Sequence, residues 1–248
     1  KWIEGDLEGN VHADAIGYLL YNIYGAVSSA NVSGSIYDHT FSVANSIQHA
    51  SMTLFSKDGG VDQSVFSNCM LGSLELTATV DEYVKFTGSF TGKGVAANSD
   101  TPSYDTEYDF VGKDIEVKFA DTEGGLAGAT ATKVKEISIN YDTGLISDFV
   151  LGDYNPDDVY NSKMAIEGSI TLNYDDQTFK DLYLDDSYKY MQIVIQGSQD
   201  LGSGNNPTIT IILNKAQIMD WNRDGGADEL VTQPISFKAF YNETDGEQ

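Results

Sequence analysis

The chain has 248 residues, 41% of them hydrophobic, so it can bury real cores and form one large β domain or two ordinary ones. Thirty-eight acidic residues against 14 basic ones give a net charge of −24, and the clustered lysines and arginines of a tight DNA or RNA binder do not occur. No apolar run approaches the roughly 18 residues that a membrane span needs, and nothing at the start is typical of a signal peptide.

The first part of the chain predicts strands around one short helix. Residues 1–9 are expected to form a strand, and residues 12–24 carry apolar side chains at helical spacing, with Gly25 placed to end the helix. Segment 26–35 is rich in small residues and is expected to be a loop. Further strands are expected near residues 36–43, 51–56 and 61–67.

The clearest local pattern is a long hairpin over residues 71–91. Leu74 and Leu76 alternate with polar residues before a turn, and Phe86 and Phe90 alternate with polar residues after it. A period of two predicts one face towards a core and one face towards water. The water side is predicted to carry Glu75, Thr77, Thr79, Thr87 and Ser89.

The second half of the chain repeats this mixture of strands with one helix. Residues 95–112 are polar and acidic and are expected to be a linker. A helix is predicted over 176–185, with Asp175 or Asp176 as its N-cap, and an acidic tail over 243–248. The predicted strands lie near 115–120, 132–141, 165–174, 191–195, 209–213 and 235–239.

A strand–turn–helix segment occurs twice. Residues 3–20 match residues 166–184, and the Ile-Glu-Gly at 3–5 recurs at 166–168. Such repetition predicts two related domains in tandem. The predicted domains are residues 1–112 and 113–248. Because a strand-rich stretch precedes the second copy and has no counterpart before Lys1, we expect an N-terminal segment to be missing from the first copy.

No catalytic motif stands out in the sequence. His12, His39 and His49 are not accompanied by a nucleophile motif, and no P-loop or dinucleotide-binding glycine pattern occurs. The lone Cys69 is expected to be a small buried hydrophobe. So many acids guarantee accidental carboxylate pairs, and none differs from the rest. The sequence therefore predicts a protein that is not an enzyme and has no catalytic cofactor.

One acidic segment begins like a calcium-binding loop. Its oxygen ligands would be Asp220, Asn222, Asp224 and Asp228. Gly225 stands at the sixth position, as in an EF-hand loop, but Val231 replaces the bidentate glutamate at the twelfth, and the flanking segments alternate as strands. Two interpretations stay open: an acidic turn between two strands, and a weak structural calcium site.

Four short motifs follow one another along the chain. A Tyr-x-His-Thr-Phe stretch at 37–41 precedes a strand, a Cys-x-x-x-Ser-Leu strand at 69–74 enters the hairpin that ends near Gly-Lys at 92–93, and Phe-Lys-Ala lies at 237–239. Together these motifs resemble those of the tail tube proteins of siphophages. The similarity covers nearly the whole chain.

The resemblance implies a structural virion protein of tandem tail-tube-type β-sandwich domains, each flanked by a short α-helix. Subunits of that family join their sheets into a ring with a shared β-barrel, and the rings stack into a tube that delivers viral DNA. The implied partners are other copies of the chain, the tape-measure and tail terminator proteins, and DNA in transit, without a membrane. The implied location is the virion tail, after synthesis in the host cytoplasm, and the implied lumen residues are the polar side of the hairpin.

Two alternatives concern assembly and class. If each repeat takes the place of one single-domain subunit in the ring, three chains close a ring with pseudo-sixfold symmetry. If the chain is instead a single elaborated domain, six chains form a homohexameric ring. A protein of another class, an extracellular calcium-dependent glycan-binding β-sandwich, would use the Asp220–Asp228 loop as its metal site. Electron micrographs distinguish rings or tubes from compact monomers.

Overall fold

A computed structural model of the chain describes residues 2–46, 48–59, 61–97, 103, 107–226 and 228–243. The described part is mainly β, with short flanking helices, which confirms the predicted fold class. Its helices are too short to span a membrane.

Strands and helices are numbered in chain order. The described strands are β1 (Trp2–Asn10), β2 (Gly25–Ser33), β3 (Ile36–Val43), β4 (Met52–Asp58), β5 (Asp62–Thr79), β6 (Lys85–Lys93), β7 (Val95–Ala97), β8 (Ile115–Ala120), β9 (Val134–Asp142), β10 (Ile146–Asp148), β11 (Asp158–Tyr160), β12 (Ala165–Asn173), β13 (Tyr188–Gln196), β14 (Thr208–Trp221) and β15 (Thr232–Ala239). The described α-helices are α1 (Ile16–Tyr24) and α2 (Thr178–Leu184).

The first of two compact units comprises Lys1–Glu75, Phe86–Glu107 and Tyr141–Ala165. In its main sheet β1 lies beside β6 and β6 beside β5, while β4 and β7 also pair with β5. The hairpins β2–β3 and β10–β11 each form a separate two-stranded antiparallel sheet. The buried apolar side chains of this unit include Ile23, Cys69, Leu71, Leu74, Phe90 and Tyr141.

The second unit comprises Leu76–Lys85, Tyr108–Asn140 and Ile166–Gln248. Its sheet has the order β9-β12-β15-β14-β13-β8. The pairs β12–β15, β15–β14, β14–β13 and β13–β8 are antiparallel. Its core is formed mainly by apolar side chains at alternate strand positions, including Ile170, Leu172, Met191, Ile193, Leu213 and Phe237.

The two copies of the sequence repeat have the same topology. In the first copy β1 leads into α1, and the sheet order is β1-β6-β5-β4. In the second copy β12 leads into α2, and the sheet order is β12-β15-β14-β13. The two copies therefore correspond in the matched strand and helix and also in the other three strands of each sheet order. The compact units are discontinuous in sequence, so the predicted domain boundary between residues 112 and 113 stays a prediction.

The ends of both helices follow local chemistry. Gly25 has a φ of 82° and donates its N–H to the carbonyl oxygen of Tyr21, which confirms the predicted stop of α1. In α2 the cap position is Gln177, but the Asp176 carboxylate accepts the N–H of Thr178 at 2.9 Å. Asp176 therefore satisfies a free helix N–H from one position before the cap.

The predicted loop at 26–35 is wrong, because β2 occupies most of it. β2 pairs with β3 from Gly25 opposite Val43 to Ser33 opposite Ile36, and the tip lies at Gly34 with a φ of 58°. Small residues have a low intrinsic preference for strands, so pairing with β3 overrides the local pattern. We call this hairpin, residues 25–43, the β2–β3 ribbon.

The predicted linker at 95–112 contains ordered strand pairing at both ends. β7 pairs with β5, and Val111 forms a β-bridge with Tyr83. Residues 98–102 and 104–106 of the predicted linker lie outside the described residues, as does most of the predicted acidic tail, at 244–248.

Candidate functional site

The predicted hairpin is present as β5 and β6, and its facing is as expected. In the first unit Glu75, Thr87 and Ser89 lie on the accessible side, where the Ser73 and Ser89 hydroxyls are 2.7 Å apart. In the second unit Thr77 and Thr79 are half-buried, on the side opposite to the buried Leu76 and Ala78. That these residues line a lumen stays a prediction.

The apolar side of the hairpin packs against glycines of β1. The ring of Phe90 lies so close to Gly5 that a Cβ there would be 2.9 Å from it. Phe86 is half-buried, and its ring would be 3.1 Å from a Cβ on Gly9. Both phenylalanines therefore face inwards, as predicted, because glycine leaves room for each ring.

The second copy repeats this contact at the matching position. A Cβ on Gly168 would be 2.5 Å from the ring of Phe237 and 2.2 Å from the carbonyl oxygen of Ser138. Gly168 and Gly5 are the matching glycines of the repeated Ile-Glu-Gly. Sequence reasoning found the repeat but missed the reason for its glycine, because the phenylalanine lies far away along the chain.

Six of the twelve described lysines lie beside carboxylates. Lys238 on β15 pairs with Glu167, directly opposite on β12, and Lys118 pairs with Glu116 at 3.3 Å on β8. The other described lysine–carboxylate pairs are Lys85–Glu82, Lys93–Asp158, Lys133–Asp175 and Lys189–Asp121. Local neutralisation of this kind leaves little positive potential for phosphate groups.

The single arginine, Arg223, lies against a cluster of aromatic rings. The Arg223 guanidinium is 5.1 Å from the centre of the Tyr174 ring, and the Lys180 ammonium is 5.9 Å from that of Trp221. The Trp221 indole N–H donates to the side-chain oxygen of the buried Gln233 at 3.1 Å. These cations are held against rings rather than arranged as a phosphate clamp.

The Asp220 segment begins in the last two residues of β14 and leads into the connection to β15. The Asp220 carboxylate accepts the N–H of Trp221, and the Asn222 side-chain oxygen accepts that of Arg223. Asp224 exchanges two backbone hydrogen bonds with Thr232. Asp228 is exposed, and across the described residues no three His, Cys, Asp or Glu side chains are grouped to hold a metal ion. The calcium site stays a prediction.

Each histidine has a local structural contact. His12 lies 3.4 Å from the Glu107 carboxylate, and the backbone N–H of the buried His49 donates to Asn161. The Nδ1 of His39 is 2.8 Å from the Ser29 hydroxyl, but both side chains are exposed on the β2–β3 ribbon. That pair therefore has none of the enclosure from water on which acyl-transfer sites depend.

Cys69 is buried, as predicted. Its Sγ is 3.4 Å from the carbonyl oxygen of Phe66, and a Cβ on Gly92 would be 2.7 Å from it. Burial raises the pKa of the thiol, which lowers its reactivity because the thiolate is the reactive form.

A cavity of about 540 Å³ lies in the first unit beside the C-terminus of α1. It is lined by Tyr21, Gln48, His49, Asn68, Lys93 and Asp158, among others. The Asp158 carboxylate accepts from the Gln48 amide at 3.0 Å and lies 3.9 Å from the Lys93 ammonium. The two charges in the cavity oppose each other, so its interior is polar without a strong excess of either sign.

The loop between β10 and β11 exposes large apolar side chains. Leu151 and Tyr154 are fully exposed, and Phe149 is mostly exposed, with its ring centre 6.5 Å from that of Trp2. The local sequence does not predict this exposure, because the residues of the loop have no regular period. Large exposed apolar residues in one loop are typical of a contact surface.

Comparison with known families decides the assignment. The profile of the family described as phage tail tube protein matches residues 1–239. The chain belongs to this family. The tail tube family is a structural one, so the chain is a tail tube structural protein of the virion tail, in agreement with the resemblance found in the sequence. A search of curated proteins found no match.

Proposed function

We propose that this chain assembles into rings that stack to form the tail tube through which viral DNA is delivered. Within the tail tube family, the observation that carries this proposal is the duplicated topology, β1-β6-β5-β4 and β12-β15-β14-β13. One chain then supplies two equivalent segments of the wall. Three chains would close a ring with pseudo-sixfold symmetry, and a homohexamer is the alternative.

An open strand edge supports ring closure through sheet pairing. β4 pairs with β5 as far as Cys69, and β9 pairs with the rest of the same edge of β5. Backbone hydrogen bonds near the two ends of this pairing join the N–H of Thr143 to the carbonyl oxygen of Gly72 and the N–H of Val80 to that of Lys135. In the second copy β13 leaves β14 at Gln217. No described strand continues along that edge of β14. A strand of the next chain fits there, since exposed strand edges favour pairing.

In the assembled tube we place Glu75, Thr77, Thr79, Thr87 and Ser89 at the lumen. Hydroxyl groups and carboxylates offer duplex DNA no cationic contacts, and the described ion pairs neutralise six lysines. DNA would therefore pass through without being retained. Such a role involves no catalysis and no cofactor, and the protein would be made in the host cytoplasm before it joins the virion.

The partners in this proposal are neighbouring copies, stacked rings, and the tape-measure and tail terminator proteins. The loop with Leu151 and Tyr154 is a suitable contact because these two side chains are fully exposed. Burial of a large apolar side chain stabilises an interface by about 1.5–3 kcal/mol.

Negative-stain microscopy and the mass of an isolated ring test the proposal. We expect rings or tubes, with three chains in each ring. Six chains in each ring would contradict the trimer while retaining the tube. Compact monomers that bind glycans only with calcium would contradict the tube and support the alternative class.

A further inference from the structure

The β2–β3 ribbon is present in only one copy of the repeated fold. After α1 the chain forms the ribbon, residues 25–43, before it reaches β4. After α2 it passes directly from Leu184 to Tyr188 at the start of β13. The ribbon is therefore an addition to a fold whose second copy is complete without it.

The ribbon has few contacts of its own to stabilise it. β2 and β3 pair with each other as a separate two-stranded sheet, and most of their residues are exposed on both faces. Phe41 at the base lies near α1, 3.5 Å from where a Cβ on Gly17 would be. Isolated two-stranded hairpins are marginally stable in water, so this ribbon gains most from a surface that covers it.

The segment around the ribbon is nearly uncharged. Residues 15–56, which include α1 and the ribbon, contain Asp38 as their single charged residue. The overall charged fraction of 21% would place about nine charged residues in a segment of this length. Exposed apolar side chains are present instead, among them Tyr18, Val27, Val32, Tyr37 and Val43.

The charge of the whole chain indicates what can cover this surface. At a net charge of −24, two copies repel each other wherever acidic surfaces meet. Two copies can associate with the least electrostatic repulsion through a charge-poor apolar surface, and the cores of protein interfaces are indeed depleted in charged residues. A cationic partner would instead fit the acidic remainder of the surface.

We propose that the β2–β3 ribbon docks on a second copy of this chain. This inference rests on the proposed tube function and assigns the ribbon as an assembly contact found once in each chain. A ring of three chains would carry three ribbons at alternate positions. Stacked rings held by them would match only at rotations that are multiples of a third of a turn.

Paired substitutions of equal chemistry test the docking. Val32→Asp with Tyr37→Asp places two charges on the ribbon at side chains that are 45% and 53% exposed. The control, Val80→Asp with Tyr83→Asp, makes the same changes outside the ribbon at 51% and 49% exposure. All four side chains are about half exposed, so both variants should fold like the wild type by circular dichroism.

We expect the ribbon variant to need at least a tenfold higher concentration to form tubes by electron microscopy, whereas the control assembles like the wild type. Unchanged assembly of the ribbon variant would overturn the docking while leaving the tube function intact. A wild-type chain that never forms rings would instead contradict the tube function, and the ribbon assignment with it.

Hydrogen exchange provides a second measurement that needs no variant. Amides along the outer edges of β2 and β3 should exchange at least tenfold more slowly in tubes than in dissociated subunits, because docking covers them. Equal rates in both states would overturn the proposal even if the ribbon variant fails to fold.

Discussion

Gly168 and Phe237 lie against each other on neighbouring strands, so closely that a Cβ on the glycine would be 2.5 Å from the aromatic ring. Gly5 and Phe90 have the same relationship in the first copy, at 2.9 Å. The repeated glycine is therefore explained by packing, because each copy needs a flat ring directly over the backbone of its first strand.

We expect Gly168→Ala to destabilise the fold more than Gly5→Ala. The new methyl at residue 168 would also be 2.2 Å from the Ser138 carbonyl oxygen, whose backbone cannot move cheaply, whereas at residue 5 the ring alone must shift. Overpacking costs about 1–3 kcal/mol, and Gly168→Ala should lie at the upper end. Urea unfolding measures both, with Gly124→Ala as control, since nothing lies within 4 Å of that site. Equal stability of the residue 168 and residue 124 variants would contradict the packing argument.

Alkaline pH should weaken the first unit through its buried tyrosines. Burial raises the pKa of Tyr24 to about 12 and holds the pKa of Tyr141 well above 10.0, and the two ring centres are 5.7 Å apart. Both values exceed those of the unfolded chain, so this stabilisation is complete below about pH 10 and is lost as the pH rises towards 12. The slope is up to about 1.4 kcal/mol per pH unit for each tyrosine.

Urea unfolding between about pH 9 and pH 11.5 measures that slope. Tyr24→Phe should reduce it, whereas Tyr154→Phe should not, because Tyr154 is fully exposed. The same slope in the Tyr24→Phe variant and the wild type would mean that Tyr24 titrates no differently in the folded chain.

The calcium prediction has a thermal test. A weak site with a Kd of about 1 mM would contribute about 1 kcal/mol at 5 mM calcium, which corresponds to a rise in Tm of roughly 2–4 °C. Asp220→Asn with Asp224→Asn should abolish the rise, and magnesium should not reproduce it because Mg²⁺ demands a tighter octahedral geometry. If calcium leaves the wild-type Tm unchanged, the segment is an acidic turn and nothing more.

Assembled protein should not retain duplex DNA at physiological salt. The Glu167→Lys variant should bind duplex DNA at low salt, because the substitution adds a cation and leaves Lys238 without its carboxylate partner. Fluorescence anisotropy should show binding that weakens steeply with salt. Glu123→Lys changes the net charge equally at an exposed position outside the strands and is the control. Sub-micromolar binding by the wild type would contradict the proposed passage of DNA.

The features predicted correctly from sequence are those with a strong local period. The β5–β6 hairpin alternates so regularly that its facing follows from side-chain type alone, and Gly25 ends α1 because glycine tolerates a positive φ. The Asp220 segment was also placed correctly between two strands. These features depend on neighbours in the chain, which a sequence displays directly.

The features that were missed depend on partners far away in sequence. The β2–β3 ribbon consists of Ser, Ala, Asn and Gly at many positions, and only its cross-strand pairing makes it a strand pair. The contact of Gly5 with Phe90 joins the two ends of the first copy. The common strand order of the two copies could not be predicted from the short matched segment, because the later strands share their places in the sheet without a shared sequence pattern.

The direct passage from α2 to β13, beside the ribbon that follows α1, has an evolutionary consequence. A subunit with one copy of the fold must display any insertion at every position that it occupies. A chain that holds two copies can vary one of them while the other keeps the short connection. Two copies of the fold in one chain thus let a single gene encode an alternating surface, which otherwise requires two different proteins expressed in equal amounts.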